Sequence, residues 1–467
     1  MWEQLRSVAG DSATVSERAA NYLYEEENSM CCPKVYLYDP KDILKRIRAL
    51  TKTHLNLTDL DPLNTDAVMY HHFNNTPVPQ HSRIPLLTDV TRWLPRIPNR
   101  PLTRMDRLFD NILDPSAMLF YSKDYVHAFH LRLAVSGCVI SDPADAELFI
   151  IPMSIHTDHP YGKMKGFQEK WNDLFSKITD FQQIFHHYTA STASKHVIFS
   201  SSFGHSRHSV GLWSPPYRDP YVHLLQRVAL GSDELIRRSY GKWLKHIMQP
   251  PDSVVSAPFS TLLTYPQEMF NISAEKTVLV TSFFEMHGSA KKLRMRLDAI
   301  CESSTDCWTK KKLLSMLNVT RSKKQLVGSF IEAKIKSTFC FEPEGDWPTR
   351  QSMVQDVLLT CIPVFFTSSY KLLWKSFWGN FIVDASVEFD GEAVLKGEVN
   401  VMESLRAISS DVILKKQNLL RRHRQQLLYL HMDQYILNGH NFERQCTVDA
   451  ANILLRELLV RSKTLIK

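Results

Sequence analysis

Two patterns of hydrophobic and polar positions alternate along the chain, and they predict strands and helices in turn. Continuous apolar runs, typical of buried strands, occur at 34–38, 146–152, 195–200, 277–284, 337–341 and 361–366. Apolar residues at helical spacing occur at 125–135, 167–188, 221–228, 290–300 and 349–359. Strands that alternate with helices form parallel sheets with both faces covered. The sequence therefore predicts an α/β protein.

The alternation stops around 249–252, at the run QPPD, and a new series starts near residue 276. We therefore predict two successive doubly wound domains, at 34–255 and 256–415. Residues 1–33 are polar and read as an N-terminal tail. Leucines at helical spacing predict C-terminal helices over 416–467 that pack back across the domains.

Composition adds little to this picture. Of the 467 residues, 44% are hydrophobic and 22% charged, which is typical of a globular protein, and a net charge of +7 favours an anionic ligand only weakly.

No apolar run is long enough to span a bilayer, and the first ten residues lack a signal core. Eight cysteines predict no disulfide framework, although Cys301 and Cys307 could close a small loop.

The densest chemical signal is 337–366, which reads as a strand, a Pro/Gly turn, a helix and a second strand. Ligands of open α/β sheets bind at the carboxyl ends of such strands. Pro348 and Thr349 predict the helix start and place Arg350 in the first turn, where the helix dipole disfavours a cation by roughly 0.3–1 kcal/mol. A bound phosphate or diphosphate would offset this cost, and so would an ion pair with Glu344 or Asp346. Both interpretations stay open.

This run resembles the exostosin-type glycosyltransferases, glycosyltransferase family 47, whose approximate pattern is FC-x-x-P-x-GD-x-x-TR, a helix, then GCIPV. It is most similar to the plant cell-wall branch that includes xyloglucan galactosyltransferases. The matching residues are Phe339, Cys340, Pro343, Gly345, Asp346, Thr349, Arg350, Cys361, Ile362, Pro363 and Val364. With lower specificity, as at 35–39 and 141–152, the likeness covers roughly 34–460.

The resemblance implies a GT-B fold, in which two Rossmann-like domains face a cleft, with C-terminal helices. It implies an inverting transfer of a sugar, galactose or related, from a UDP-sugar to a hydroxyl of a polysaccharide or glycoprotein glycan. The alternative is a non-catalytic exostosin-like glycan-binding or complex subunit. No cofactor or catalytic metal is expected. The expected partners are a nucleotide sugar and a glycan acceptor, with no nucleic acid, and oligomers with itself or other glycosyltransferases are possible.

The same resemblance assigns donor-binding residues by motif position. They are Gly345, Asp346, Trp347, Thr349 and Arg350. Arg294 matches the arginine of the family's IR-x-x-L helix and becomes a second diphosphate candidate, although a solvated cation within a basic run is the other interpretation. The family's acidic residue for the donor ribose aligns with Gly391, so Glu392 beside it is the predicted contact, with Asp390 and Glu388 nearby.

The catalytic base and the integrity of the donor site are harder to assign. Asp158, and after it His156, are the predicted bases, because they follow the strand at 148–152. Gln355 stands where the plant-like members carry aspartate, and Thr360 replaces a glycine. These departures are either tolerated or mark a degenerate donor site. Family resemblance implies the Golgi or secretory pathway, and a chain complete as given would be cytoplasmic.

Overall fold

The structure is a computed structural model that describes part of the chain. The described residues are 32–51, 129, 133, 138–155, 179–203, 219–221, 224–230, 254–258, 275–286, 290–316, 323–344, 350–372, 374–379, 381–429 and 449–465. The predicted turn at 249–252 lies outside them. Within these ranges the strands form two parallel sheets, which confirms the predicted α/β class.

The first sheet has the strand order β2-β1-β3-β4-β5-β6, and every neighbouring pair is parallel. Its strands are β1 (Val35–Leu37), β2 (Val139–Ile140), β3 (Leu148–Ile155), β4 (His196–Phe203), β5 (Gln226–Leu230) and β6 (Val254–Ala257). The strands predicted at 34–38, 146–152 and 195–200 are confirmed. The predicted limit between the two domains, after residue 255, falls inside β6. The domain limits stay predictions.

The second sheet has the order β11-β10-β9-β7-β8 and is also parallel. Its strands are β7 (Val278–Ser282), β8 (Cys307–Thr309), β9 (Ser337–Glu342), β10 (Ile362–Phe365) and β11 (Val387–Glu388). The predicted strands at 277–284, 337–341 and 361–366 are therefore confirmed. The buried pattern of β9 and β10 explains why both read as continuous apolar runs.

Helices follow most of these strands. They are α1 (Pro40–Thr51), α2 (Lys291–Glu302), α3 (Lys310–Met316), α4 (Lys323–Ile335), α5 (Gln351–Leu358), α6 (Lys375–Trp378), α7 (Phe381–Ala385), α8 (Gly391–Lys396), α9 (Val401–Arg406), α10 (Ser410–His423) and α11 (Ala450–Thr464). The helices predicted at 290–300 and 349–359 are confirmed as α2 and α5. Within the described ranges, no helix is both long and apolar enough to cross a membrane.

Two predicted helices of the first half are wrong where they can be compared. The segment 221–228 contributes to strand β5, and the amide of Gln226 donates to the carbonyls of Ser194 and Leu458. A short apolar run fits a strand as well as a helix. The buried Gln226 side chain joins β5 to other elements and does not form part of the polar face of a helix. The second predicted helix is 167–188. Its end forms a 3-10 turn at Phe181–Gln183, where the Asp180 carboxylate accepts from the Gln182 N–H.

The cysteines form more disulfides than predicted. The Cys301–Cys307 bridge is confirmed, and Cys32–Cys138 and Cys340–Cys361 join it. The expectation of no disulfide framework is therefore wrong, because the pairing depends on strand neighbours that are distant in sequence. Cys340 lies in β9 and Cys361 directly precedes the neighbouring β10.

The last helix, α11, is buried along most of its length. It contacts the Ala193–Lys195 turn and β6, which belong to the first half, and also α6 and the Arg424–Leu427 turn. The Gln226 bond to Leu458 described above fixes it to β5. Helix α11 therefore contacts elements attached to both sheets, while the predicted extent of the C-terminal helices over 416–467 stays a prediction.

Candidate active site

Charged side chains collect where the strands of the second sheet end. Glu342 is the last residue of β9 and Glu344 follows it, Glu285 follows β7, Lys310 follows β8, and Glu388 ends β11. Parallel strands present their carboxyl ends at one edge of a sheet, and ligands of open α/β folds bind there. This edge is the candidate active site.

Arg350 lies at this edge, at the N-cap of α5. Its backbone is extended, with φ −138° and ψ 144°, so the helix begins at Gln351 and the predicted place in the first turn is wrong by one residue. The guanidinium Nη1 donates to the Pro343 carbonyl at 2.9 Å and lies 3.1 Å from Glu342 Oε2. The described acidic partner is thus Glu342, because it ends β9 beside the helix start, and not the predicted Glu344.

Arg294 lies in the first turn of α2 and is buried. Its Nε donates to the Glu344 carbonyl at 3.0 Å, and its Nη1 donates to the Glu285 carbonyl at 2.6 Å. The side chain is only 2% exposed, whereas Arg296 on the same helix is exposed. The interpretation of Arg294 as a solvated cation is therefore wrong.

The structure brings these two arginines together. Arg350 donates to the carbonyl of Pro343 and Arg294 to that of Glu344, the next residue. Both guanidinium groups are therefore fixed on the segment that follows β9. Guanidinium groups held in place concentrate positive charge and bind phosphate oxygens with little loss of side-chain entropy.

A network of buried ion pairs holds Glu342, the acidic partner of Arg350. Lys334 of α4 contacts both Glu342 and Asp356, and Ser352 Oγ donates to Glu342 Oε2 at 2.7 Å. Burial raises the pKa of the Asp356 carboxyl well above its ordinary range, although the Lys334 ammonium opposes the shift. Lys334 and Arg350 both contact Glu342, so this carboxylate links the buried network to the guanidinium of Arg350.

Glu392, the predicted ribose contact, is not held at this site. It is exposed in the first turn of α8, where its N–H donates to Asp390 Oδ1. Among the described contacts it reaches neither Arg294 nor Arg350. A Cβ on Gly391 would lie 2.7 Å from the Phe366 carbonyl oxygen, so an acidic side chain does not fit there without a shift.

Two carboxylates at the edge are more firmly placed than the sequence indicated. Glu388 Oε2 accepts from the Tyr370 hydroxyl at 3.1 Å and lies 2.6 Å from Lys371 Nζ. Burial raises the pKa of Tyr370 to about 12, so its hydroxyl stays a donor. Glu342 was not predicted at all, although an acidic residue that ends an apolar strand was a usable signal.

The remaining predicted site residues lie outside the described part of the chain. These are Asp158, His156, Gly345, Asp346, Trp347 and Thr349. Their roles stay predictions. Of the two departures noted in the donor helix, Gln355 is half-buried and Thr360 adopts a left-handed backbone, with φ 55°.

Comparison with known families identifies the class of protein. Residues 34–375, most of the chain, match the exostosin GT47 domain. The chain therefore belongs to the exostosin GT47 family of glycosyltransferase-like proteins, which confirms the resemblance predicted from 337–366. Membership of this family supports a transferase.

Particular relatives come from Arabidopsis thaliana. The chain is 35% identical over 89 residues, 19% of each chain, to the probable xyloglucan galactosyltransferase GT13. It is 33% identical over 121 residues to the xyloglucan-specific galacturonosyltransferase 1, which covers 25% of this chain and 17% of that protein. The chain spans about a fifth of the length of the curated relatives it matches.

Proposed function

We propose that the protein is an inverting glycosyltransferase. It transfers galactose or a related sugar from a UDP-sugar to a hydroxyl of a polysaccharide or glycoprotein glycan. One observation carries this proposal: Arg294 and Arg350 are fixed on adjacent carbonyls at the carboxyl end of a parallel sheet. That sheet lies mostly within the region that matches the family.

In this proposal the two arginines hold the diphosphate of the donor. When the bond between the sugar and the diphosphate breaks, negative charge develops on the departing oxygen, and positive groups already in place stabilise it. The reaction then uses no catalytic metal and no cofactor. Glu388 is the better ribose contact than Glu392, since Tyr370 and Lys371 hold its carboxylate at the end of β11.

The two parallel sheets support a GT-B arrangement, with the donor on the second sheet and the acceptor on the first. The three disulfides support an oxidising compartment, because cytosolic proteins rarely keep disulfides. The family resemblance narrows this proposal to the Golgi or secretory pathway.

A non-catalytic subunit is the second candidate, and two observations favour it. Arg350 already pairs with Glu342, so a diphosphate must compete with a buried carboxylate. Thr360 holds a left-handed backbone where the family pattern has glycine. The first lies at the donor site itself, and the second lies at the other end of helix α5, before β10.

A donor screen separates the two candidates. Purified protein is incubated with UDP-galactose, UDP-galacturonic acid and UDP-glucose, each with xyloglucan oligosaccharides, and UDP release and glycan mass are measured. The enzyme proposal predicts turnover with at least one donor, reduced about 10²–10³-fold in Arg350→Ala. Arg296→Ala, an exposed arginine of α2, is the matched control and is expected to keep full turnover. No turnover with any donor, together with binding of the oligosaccharide, supports the subunit instead.

A further inference from the structure

The carboxyl edge of the second sheet contains a topological switch point. The chain runs outwards from β9 to β11 on one side and from β7 to β8 on the other, so the strand order reverses between β7 and β9. Ligands of open α/β sheets bind in the crevice at such a reversal. Arg294 spans it, because Nη1 donates to the Glu285 carbonyl after β7 and Nε donates to the Glu344 carbonyl after β9. Glu344 therefore lies at the crevice.

The carboxylate of Glu344 is not used by the proposed diphosphate site. The acidic partner of Arg350 is Glu342, and Arg294 donates to the backbone of Glu344 and not to its side chain. Within the described part of the chain, no cation forms an ion pair with the Glu344 carboxylate. A charged acceptor beside the two arginines is therefore left for another part of the ligand.

The Glu344 side chain is held by the turn that follows β10. Strands β9 and β10 pair as far as Glu342 and Phe365, so the segments after them leave the sheet side by side. In the turn, Thr367 Oγ1 donates to Ser369 Oγ, and Ser369 Oγ donates to Glu344 Oε1. These two hydrogen bonds fix the position of the carboxylate. An acceptor that is already in position binds a ligand hydroxyl with little loss of side-chain entropy.

The second carboxylate oxygen, Oε2, keeps contact with solvent. Glu344 is half-buried, and the described polar atoms that are buried without a partner do not include Oε2. An ionised carboxylate has about four positions that accept hydrogen bonds, and Ser369 fills one of them. The others can accept from sugar hydroxyls, and a hydrogen bond to a charged acceptor is stronger than one between neutral groups.

A hexose bound with its diphosphate at the two arginines lies beside Glu344. In a nucleotide sugar the anomeric carbon is bonded to an oxygen of the outer phosphate, so the ring directly follows the diphosphate. Glu344 supplies the carbonyl that fixes Arg294, and the preceding residue, Pro343, supplies the carbonyl that fixes Arg350. Its carboxylate is therefore within reach of hydroxyls on the hexose ring.

The charge of Glu344 favours a neutral sugar. Galacturonic acid differs from galactose by a carboxylate at C6, and two carboxylates beside one ring repel each other. A uronate would need a cation of its own at this edge. Lys310, after β8, already pairs with Glu285. Lys371, after β10, already pairs with Glu388, and the two arginines hold the diphosphate in the proposed function.

We propose that Glu344, positioned by Ser369, accepts hydrogen bonds from hydroxyls of the donor hexose and selects a neutral hexose over a hexuronic acid. This inference rests on the proposed function and narrows the donor to a UDP-hexose such as UDP-galactose. A purely structural role, in which Glu344 only joins the segments after β9 and β10, predicts instead that its loss weakens all donors equally.

The test compares the affinities of the full chain for UDP, UDP-galactose and UDP-galacturonic acid by calorimetry. The affinity for each UDP-sugar is divided by that for UDP, which removes effects on the diphosphate. Wild type is expected to bind UDP-galactose about 10–100-fold more tightly than UDP-galacturonic acid, because repulsion replaces a hydrogen bond to a charged group. In Glu344→Gln, which keeps the size of the side chain, this preference is expected to fall about tenfold.

Glu398→Gln is the matched control. Glu398 is an exposed carboxylate beyond the end of α8, whereas the carboxyl edge lies at the start of that helix. This variant is expected to keep the wild-type preference for UDP-galactose.

The results separate the choice of sugar from the proposed function. If wild type binds UDP but binds both UDP-sugars equally, or prefers UDP-galacturonic acid, the role of Glu344 is wrong and the proposed function stands. An unchanged preference in Glu344→Gln has the same meaning. If that variant fails to fold, Ser369→Ala decides, since loss of the positioning bond is expected to lower the preference and an unchanged preference rejects the role. A wild-type protein that binds no UDP rejects the proposed function itself, and the choice of sugar with it.

Discussion

The two halves of the molecule bury their titratable groups in opposite ways. In the first half, His196 Nδ1 donates to the Thr192 carbonyl and Nε2 accepts from the Tyr38 hydroxyl, each at 2.8 Å. In the second half, Lys334, Glu342 and Asp356 form an ion network beneath Arg350. The first half thus buries a neutral imidazole with both ring nitrogens hydrogen-bonded, whereas the second half buries charged side chains as ion pairs.

Breaking the charged network has the largest expected effect. Lys334→Met leaves two buried carboxyl groups without their shared ammonium, and a broken buried pair costs about 3–5 kcal/mol. Urea unfolding monitored by tryptophan fluorescence gives the free energy of unfolding. Lys336→Met is the matched control, because its ion pair with Glu332 lies at the surface, and it is expected to cost less than about 1 kcal/mol.

A double variant sharpens this result. Lys334→Met combined with Asp356→Leu removes both members of the buried pair and is expected to cost about 1–3 kcal/mol less than the sum of the two single changes. If the cost of the double variant equals the sum of the two single costs, the charged groups do not stabilise one another. The contrast between the two halves is then wrong.

The contribution of the buried, neutral His196 of the first half is tested by lowering the pH. Burial lowers the pKa of His196 from its ordinary 6.5 to about 3, so below pH 6.5 the unfolded chain binds a proton that the folded chain refuses. Stability therefore falls as the pH falls from 6.5 towards 3. Between pH 7 and pH 5 this one group is expected to cost about 2 kcal/mol of the free energy of unfolding.

Replacing His196 shows how much of this loss of stability at low pH it causes. In His196→Gln the loss between pH 7 and pH 5 is expected to be about 2 kcal/mol smaller than in wild type, because glutamine does not titrate. The free energy of unfolding is measured in urea at both pH values. An identical loss in wild type and variant would show that His196 does not set the acid response of the first half.

The smallest effect concerns Thr360, which lies between helix α5 and strand β10. A β-branched residue with φ 55° is strained, and the family pattern has glycine there. Thr360→Gly is expected to raise the free energy of unfolding by about 1 kcal/mol, the strain relieved less the added entropy of the unfolded chain. Thr360→Ala keeps a Cβ and is expected to gain less. A loss of stability in the glycine variant would contradict this account.

The sequence predicted the second half better than the first, for a physical reason. Strands β9 and β10 and helix α5 are neighbours in sequence and in space, so apolar runs, a turn and a helix start defined the unit almost to the residue. Strand β5 was predicted as a helix because its anchor, Gln226, bonds to Leu458, which is far away in sequence.

The candidate site shows the same limit. Motif position singled out Arg294 and Arg350 as candidates, but it could not show that successive carbonyls hold both side chains. Glu342 and Lys334 escaped prediction because a buried ion pair depends on how α4 packs against β9. Gly391 replaced an expected acid for a reason visible only in three dimensions, the nearby Phe366 carbonyl.

Titration of the protein with UDP in a calorimeter tests the central claim most directly. If the two arginines grip the diphosphate, wild type binds UDP, and Arg350→Ala weakens binding about 10–100-fold, the value of a charge-assisted hydrogen bond of about 1.5–3 kcal/mol. Arg296→Ala is expected to bind as wild type does. Absence of UDP binding by wild type, or equal affinity in wild type and Arg350→Ala, would contradict the account.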